Sequence, residues 1–125
     1  MVIFRDENIH AFHGSRLQPA TPAIKSQAFN WIDEAHAAGG PNPMPAMRMA
    51  FQMKPELIYV LSDGFDAVDD LDAVAREFRQ LNADGAVKVN TILIGAKSDP
   101  RLVSVMRQIA TDSGGTFKTV EASEI

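Results

Sequence analysis

The sequence contains no cysteine, so disulfides, zinc–thiolate sites and thiol nucleophiles are excluded. It also lacks a basic cluster: twelve Lys and Arg residues are scattered among sixteen acidic residues, and the net charge is −4. This balance argues against attraction to nucleic acid or to an anionic membrane surface. The longest purely apolar run, Leu57 to Leu61, is far too short to span a bilayer, and no signal-peptide pattern is present. We therefore expect a soluble, cytoplasmic protein that binds no nucleic acid and inserts into no membrane.

The length and composition are those of one globular domain covering residues 1–125. Hydrophobic residues make up 46% of the 125 residues and charged residues 22%, which is enough apolar material for a real core. No linker, internal repeat or low-complexity segment divides the chain.

The first half of the sequence predicts a hairpin followed by two helices. Residues 1–4 and 9–12 are strand-like and flank a polar turn, so residues 1–12 are expected to form an antiparallel hairpin. Thr21 and Pro22 open a helix that ends before two glycines, and Asn42 caps a shorter helix that ends before Pro55. The apolar residues of the first helix recur at helical spacing: Ile24, Ala28, Trp31, Ile32 and Ala35.

From Leu57 onward the predicted elements alternate between strand and helix. Strands are expected at 57–61, 87–94 and 116–120, with a helix after each of the first two. Alternation of this kind indicates parallel strands joined by helical crossovers. The unbroken apolar run at 57–61 is typical of a strand covered on both faces. The predicted fold is therefore a three-layer, Rossmann-like α/β sandwich with a mostly parallel sheet and an N-terminal antiparallel hairpin.

Asp63 is the strongest candidate for a functional residue. Ligands of open α/β sheets bind beyond the carboxyl ends of the strands, and Asp63 directly follows the apolar strand. A carboxylate there, with Gly64 allowing the backbone to turn, suits a hard cation such as Mg²⁺. The alternative is an aspartate that caps local backbone amides.

The other polar candidates favour structural roles. An acidic stretch follows Asp63, and it is expected to supply a helix N-cap and favourable charge at a helix start rather than cation ligands. Its members are Asp66, Asp69, Asp70 and Asp72. His10 and His13 would point to opposite faces of a strand, and His36 lies in the last turn of a helix. Gly114 is placed as a helix C-terminal glycine rather than in a phosphate loop.

Two segments resemble the central stretch of von Willebrand factor A domains. They are Gly-Gly-Pro-Asn-Pro-Met-Pro-Ala-Met at 39–47 and Leu-Ile-Tyr-Val-Leu-Ser-Asp-Gly at 57–64. In that family a Gly-Gly-Thr-Asn-Pro-type loop and helix lead into an apolar strand that ends in Thr-Asp-Gly or Ser-Asp-Gly. The resemblance implies a Rossmann-like fold that binds proteins, often through a metal ion-dependent adhesion site built from three loops.

The sequence departs from that family in two of the three loops. Pro41 stands where the family has a threonine hydroxyl, and the first strand with its Asp-x-Ser-x-Ser loop is not found. Only Asp63 matches a ligand position, while Asn42 could lend an amide oxygen but is expected to cap its helix. The resemblance therefore implies an incomplete site that would bind Mg²⁺ or another divalent cation only weakly.

The resemblance favours a protein-interaction module over an enzyme. The alternatives are a small α/β hydrolase or phosphotransferase that uses Asp63, with Lys97 recruited nearby, and a non-functional fragment of a longer protein. In the family's sheet, the first strand lies between the hairpin and the strand at 57–61. Its absence predicts an open slot, which either closes or promotes self-association through the exposed sheet edge.

Overall fold

The computed structural model describes residues 1–5, 8–36, 42–65, 68–95, 99–121 and 123. Five strands and four helices lie within these residues, in an order that follows the predicted one. They are β1 (Val2–Arg5), β2 (Asn8–Ala11), α1 (Pro22–Asp33), α2 (Met44–Gln52), β3 (Leu57–Ser62), α3 (Leu71–Leu81), β4 (Lys88–Ile94), α4 (Pro100–Asp112) and β5 (Phe117–Val120).

The strands form two separate sheets. One is a parallel sheet in the order β3-β4-β5, with Leu57 beside Lys88 and Thr91 beside Phe117. The other is the antiparallel hairpin β1-β2, in which Phe4 pairs with Ile9. The predicted α/β class, the parallel sheet and the N-terminal hairpin are confirmed.

The hydrophobic core lies on one face of the parallel sheet. Alternate residues of β3 and β4 point to this face, where α3 and α4 pack against the sheet and against each other. The buried strand residues are Ile58, Val60, Val89, Thr91 and Leu93. The Thr91 hydroxyl lies within this core and donates a 2.8 Å hydrogen bond to the Met106 carbonyl of α4, so its polar group is satisfied.

The prediction that β3 is covered on both faces is wrong. Leu57, Tyr59 and Leu61 point away from the core, and they are 41%, 60% and 54% exposed. Helix α1 lies against the hairpin, with the Trp31 ring 5.7 Å from the Phe12 ring. An apolar run cannot distinguish a strand buried on two faces from one buried on a single face, because both show the same composition.

The hairpin does not close onto β3. It forms a sheet of its own, and β1 packs against α2, with Val2, Phe4 and Ile9 in contact with the edge of the core. The outer edge of β3 is therefore left without a strand partner among the residues that the structure describes.

Two adjacent glycines end α4 for different reasons. Gly114 has a φ of +71°, a left-handed conformation that disfavours a side chain. The Gly115 amide donates a 2.8 Å hydrogen bond back to the Ala110 carbonyl, which completes the helix cap predicted at Gly114. At Gly115 the chain also lies so close to β4 that a Cβ atom would collide with the Val89 carbonyl oxygen.

We expect Gly115→Ala to destabilise the fold more than Gly114→Ala. A methyl group at Gly115 forces β4 and the end of α4 apart, at a cost of about 3 kcal/mol. At Gly114 there is open space and only the backbone conformation is penalised, which costs about 1 kcal/mol. Urea denaturation of the two variants measures both values, and equal losses of stability would contradict the close approach of Gly115 to Val89.

Candidate functional site

Ser62 organises the turn at the carboxyl end of β3. Its side chain is buried, and its hydroxyl donates a 2.6 Å hydrogen bond to the Gly64 carbonyl. The same oxygen also accepts a 3.1 Å hydrogen bond from the Gly64 amide. The capping role considered for Asp63 is therefore performed by Ser62.

Asp63 is exposed at the end of β3. Its carboxylate makes no hydrogen bond or ion pair within the described part of the chain. A free carboxylate at a strand end can accept a cation or a donor group from a partner, but it offers only one ligand group. Other oxygen atoms would be needed to complete the coordination of a cation at this position.

Asn42 is engaged at the start of α2. Its side-chain oxygen accepts a 2.9 Å hydrogen bond from the Met44 amide. The predicted cap is one residue early, because the N-cap residue of α2 is Pro43, whose side chain makes no cap hydrogen bond. The preceding loop residues 39–41, including Pro41, lie outside the described residues. Within the described part, no group of three or more histidine and acidic side chains is placed to hold a metal ion.

The acidic stretch after Asp63 includes the N-terminal cap of α3. The Asp70 carboxylate accepts a 3.0 Å hydrogen bond from the Ala73 amide and forms a 3.0 Å ion pair with Arg76. The Ala73 amide, followed by Arg76, lowers the pKa of Asp70 below its usual value. Asp72 lies in the first turn of the same helix, where negative charge is favourable. Asp66 lies outside the described residues.

The histidines are not gathered into a site. His13 lies in the turn after β2, not on a strand, and its ring nitrogen lies 3.1 Å from the Gln27 side-chain oxygen of α1. His10 lines a small open cleft of about 150 Å³ between the hairpin and α1, with Trp31 and Glu34. His36 follows the end of α1 and is exposed.

The enzyme alternative depends on a lysine that lies outside the described residues. Lys97 follows β4 within residues 96–98, so its distance from Asp63 is not defined. The Asp63 carboxylate therefore has no acidic or basic partner in the described structure that would mark it as a nucleophile.

The surface that the sequence interpretation missed is the outer side of β3. Leu57, Tyr59 and Leu61 form a row of three large apolar side chains on one exposed face of one strand. A period-two pattern would have revealed this face, but Ile58 and Val60 between them are also apolar and hide it.

A second apolar surface lies on α1. None of its residues is buried, although Ile24, Ala28, Trp31 and Ile32 recur at helical spacing. Phe29 is 65% exposed and Ile32 is 42% exposed. Globular helices bury their apolar stripe in most cases, so α1 retains apolar area that this chain alone does not cover.

No protein-family model, curated protein or solved structure matches the chain. None of the described helices is both long and apolar enough to cross a membrane. The functional argument therefore depends on the geometry of β3 and of its carboxyl end.

We expect the protein to bind Mg²⁺ or Mn²⁺ no more tightly than the millimolar range, because Asp63 offers one exposed carboxylate and the Asn42 oxygen is engaged by Met44. Isothermal titration calorimetry with each ion measures this affinity. The matched control is Asp63→Asn, which keeps the size of the side chain but removes its charge. A micromolar site that disappears in Asp63→Asn would contradict the prediction.

We expect the Asp70 carboxylate to stabilise the fold at neutral pH and to lose this effect in acid. Its pKa is 3.8 in the unfolded chain and lower in the folded protein, so the unfolded state binds more protons as the pH falls. The contribution is complete above 3.8 and disappears as the pH falls through the folded value. Urea denaturation of the wild type and Asp70→Asn should give a stability difference that shrinks with acidification, whereas a constant difference would refute this linkage.

Proposed function

We propose that this chain is a protein-interaction module of the von Willebrand factor A type, with an incomplete metal ion-dependent adhesion site, and that it is not an enzyme. Its binding surface is the outer edge and outer face of β3. The observation that carries the proposal is the exposure of Leu57, Tyr59 and Leu61 on one face of a strand whose outer edge has no partner among the described residues.

Both features of β3 are unusual for a surface that stays in water. Single exposed apolar side chains are normal, but a contiguous row of them marks interaction sites. Edge strands are usually protected by charged residues, especially lysine, or by proline. Residues 57–62 contain neither a charged residue nor a proline. Association with another protein would cover the side chains and pair the backbone groups together.

The finer fold assignment is part of the same proposal. In a three-layer, Rossmann-like arrangement, both faces of the parallel sheet are covered, whereas here the outer face of β3 is exposed. The exposed stripe of α1, with Phe29 and Ile32, leaves further apolar surface for a partner. A partner seated on β3 would supply the cover that this chain lacks.

A metal ion would have a secondary role in this module. Asp63 is the one candidate ligand whose side chain is free, and Asn42 could contribute its oxygen only after giving up the bond from Met44. Mg²⁺ or another divalent cation would thus bind weakly to the chain alone, and a carboxylate from a partner would complete its coordination.

Site-specific photo-crosslinking at Tyr59 tests the proposed surface. We expect a benzoylphenylalanine residue at position 59 to give a discrete crosslinked species in cells of the source organism, because position 59 is at the centre of the row. The control is the same residue at Gln80, which is exposed on α3. Mass spectrometry identifies the crosslinked protein, and calorimetry with that purified protein compares the wild type with Leu61→Lys.

The expected result is crosslinking at position 59, none at position 80, and binding that Leu61→Lys weakens at least about tenfold. Equal crosslinking at both positions, or an affinity that Leu61→Lys leaves unchanged, would refute the assignment of β3 as the binding surface. Circular dichroism of each variant establishes that it is folded.

A further inference from the structure

The backbone groups on the outer edge of β3 have a defined pattern. The Lys88 amide donates a 3.0 Å hydrogen bond to the Glu56 carbonyl. The backbone amide and carbonyl groups of the even-numbered residues of β3 therefore point toward β4. The amide and carbonyl groups of Leu57, Tyr59 and Leu61 therefore point away from the sheet. They have no partner among the described residues, so three donors and three acceptors are open on this edge.

The sequence of this edge is nearly symmetric about its central residue. It reads Leu-Ile-Tyr-Val-Leu from 57 to 61, with Leu at both ends and β-branched residues on either side of Tyr59. A two-fold axis at Tyr59 would place Leu57 of one copy opposite Leu61 of a second copy, and Tyr59 opposite its own counterpart. The edge is therefore complementary to itself in the antiparallel direction.

This register pairs all of the open backbone groups of Leu57, Tyr59 and Leu61. In an antiparallel pair, two opposite residues whose backbone groups point toward each other exchange two hydrogen bonds. Three such pairs therefore give six bonds across the interface. A shift of one residue would place each odd-numbered residue opposite an even-numbered one, whose backbone groups already bond to β4. A shift of two residues in one direction would place Leu61 opposite Pro55, which has no amide hydrogen to donate. The shift in the other direction would place the charged residue Asp63, rather than a leucine, opposite Leu57.

Side chains and charges agree with the same register. Opposite residues share a face of the sheet, so the exposed leucines would pack in Leu–Leu pairs on either side of a Tyr–Tyr pair. No charged residue lies between 57 and 62. At the ends, Glu56 faces Ser62 of the second copy, and Asp63 lies opposite Pro55, next to Lys54. No like charges meet, and the Asp63 carboxylate comes near a lysine.

We propose that the occupant of the β3 edge is a second copy of this chain, in a two-fold dimer with antiparallel β3 strands centred on Tyr59. The two three-stranded sheets then form one continuous six-stranded sheet, with the helices of both copies on the same side. This inference rests on the proposed function and names the partner for the edge of β3, whereas the outer face of the joined sheet stays exposed. The hairpin leaves the edge available, since β1 packs against α2 and makes no hydrogen bond to β3.

Single-cysteine variants test the register directly, because the chain has no cysteine of its own. In the proposed dimer the two Tyr59 Cα atoms are about 5.5 Å apart, a spacing that a disulfide can bridge. Tyr59→Cys should therefore form a disulfide dimer on mild oxidation. The matched control is Leu61→Cys, whose two copies are four residues apart along the strands, or about 13 Å. It should stay monomeric on a denaturing gel, whereas a mixture of Leu57→Cys and Leu61→Cys should crosslink.

Analytical ultracentrifugation of the unmodified chain gives an independent readout. We expect a concentration-dependent species of twice the 13.6 kDa mass of one chain. Leu61→Lys places lysine at an exposed position of the edge and should raise the dimer dissociation constant at least about tenfold. Gln80→Lys, which adds the same charge on α3, should leave it unchanged. Circular dichroism and thermal melting establish that each variant is folded.

A monomer at every concentration, or Leu61→Cys crosslinking as readily as Tyr59→Cys, would overturn this proposal. Failure of the proposed function gives a different result. If photo-crosslinking at Tyr59 captures another protein whose binding Leu61→Lys weakens, while the chain alone remains monomeric, the interaction module stands and the second-copy inference falls. A monomer with no crosslink at Tyr59 overturns both.

Discussion

Strand β4 is the element on which the rest of the structure depends. Among the described strands of the parallel sheet, it is the one with a hydrogen-bonded neighbour along each edge, β3 on one side and β5 on the other. Its Val89, Thr91 and Leu93 side chains are buried under α4, and the Ser113 hydroxyl at the end of α4 accepts a 2.9 Å hydrogen bond from the Val89 amide. Backbone pairing and core packing therefore meet in a single strand.

The uneven covering of β3 connects the fold to the proposed function. One face of β3 contributes Ile58 and Val60 to the core, while its opposite face is exposed and its outer edge has no strand partner among the described residues. Asp63 directly follows this strand, and within the described structure its carboxylate makes no hydrogen bond, since Ser62 bonds the turn in its place. A partner strand at this edge would thus lie next to a charged group that can fix its direction, since a charge at one end distinguishes the two orientations of a strand.

The sequence predicted the elements better than their surroundings. Glycine and proline at the ends of elements, together with the helical spacing of apolar residues, located the hairpin, the helices and the three parallel strands, because these signals are local. The covering of β3 was mispredicted, since an unbroken apolar run carries no period. The helical spacing in α1 located the helix but carries no information on what lies opposite its apolar residues. The residue type of Asn42 indicated a hydrogen bond to the start of α2, although the N-cap residue itself is Pro43. The division of roles between Ser62 and Asp63 depends on turn geometry.

Exposed apolar area also connects the stability of this fold to its association. The sheet, α3 and α4 enclose a continuous core, whereas none of the α1 residues is buried and the hairpin is joined to the core through β1 and α2. Folding of the chain alone therefore leaves Tyr59 and Phe29 in water, so part of the hydrophobic driving force is not used. Any partner that covers β3 binds the folded state and not the unfolded one, and it must stabilise the fold by mass action. In the proposed module, the surface that a partner buries on binding therefore determines both the binding affinity and the gain in folding stability.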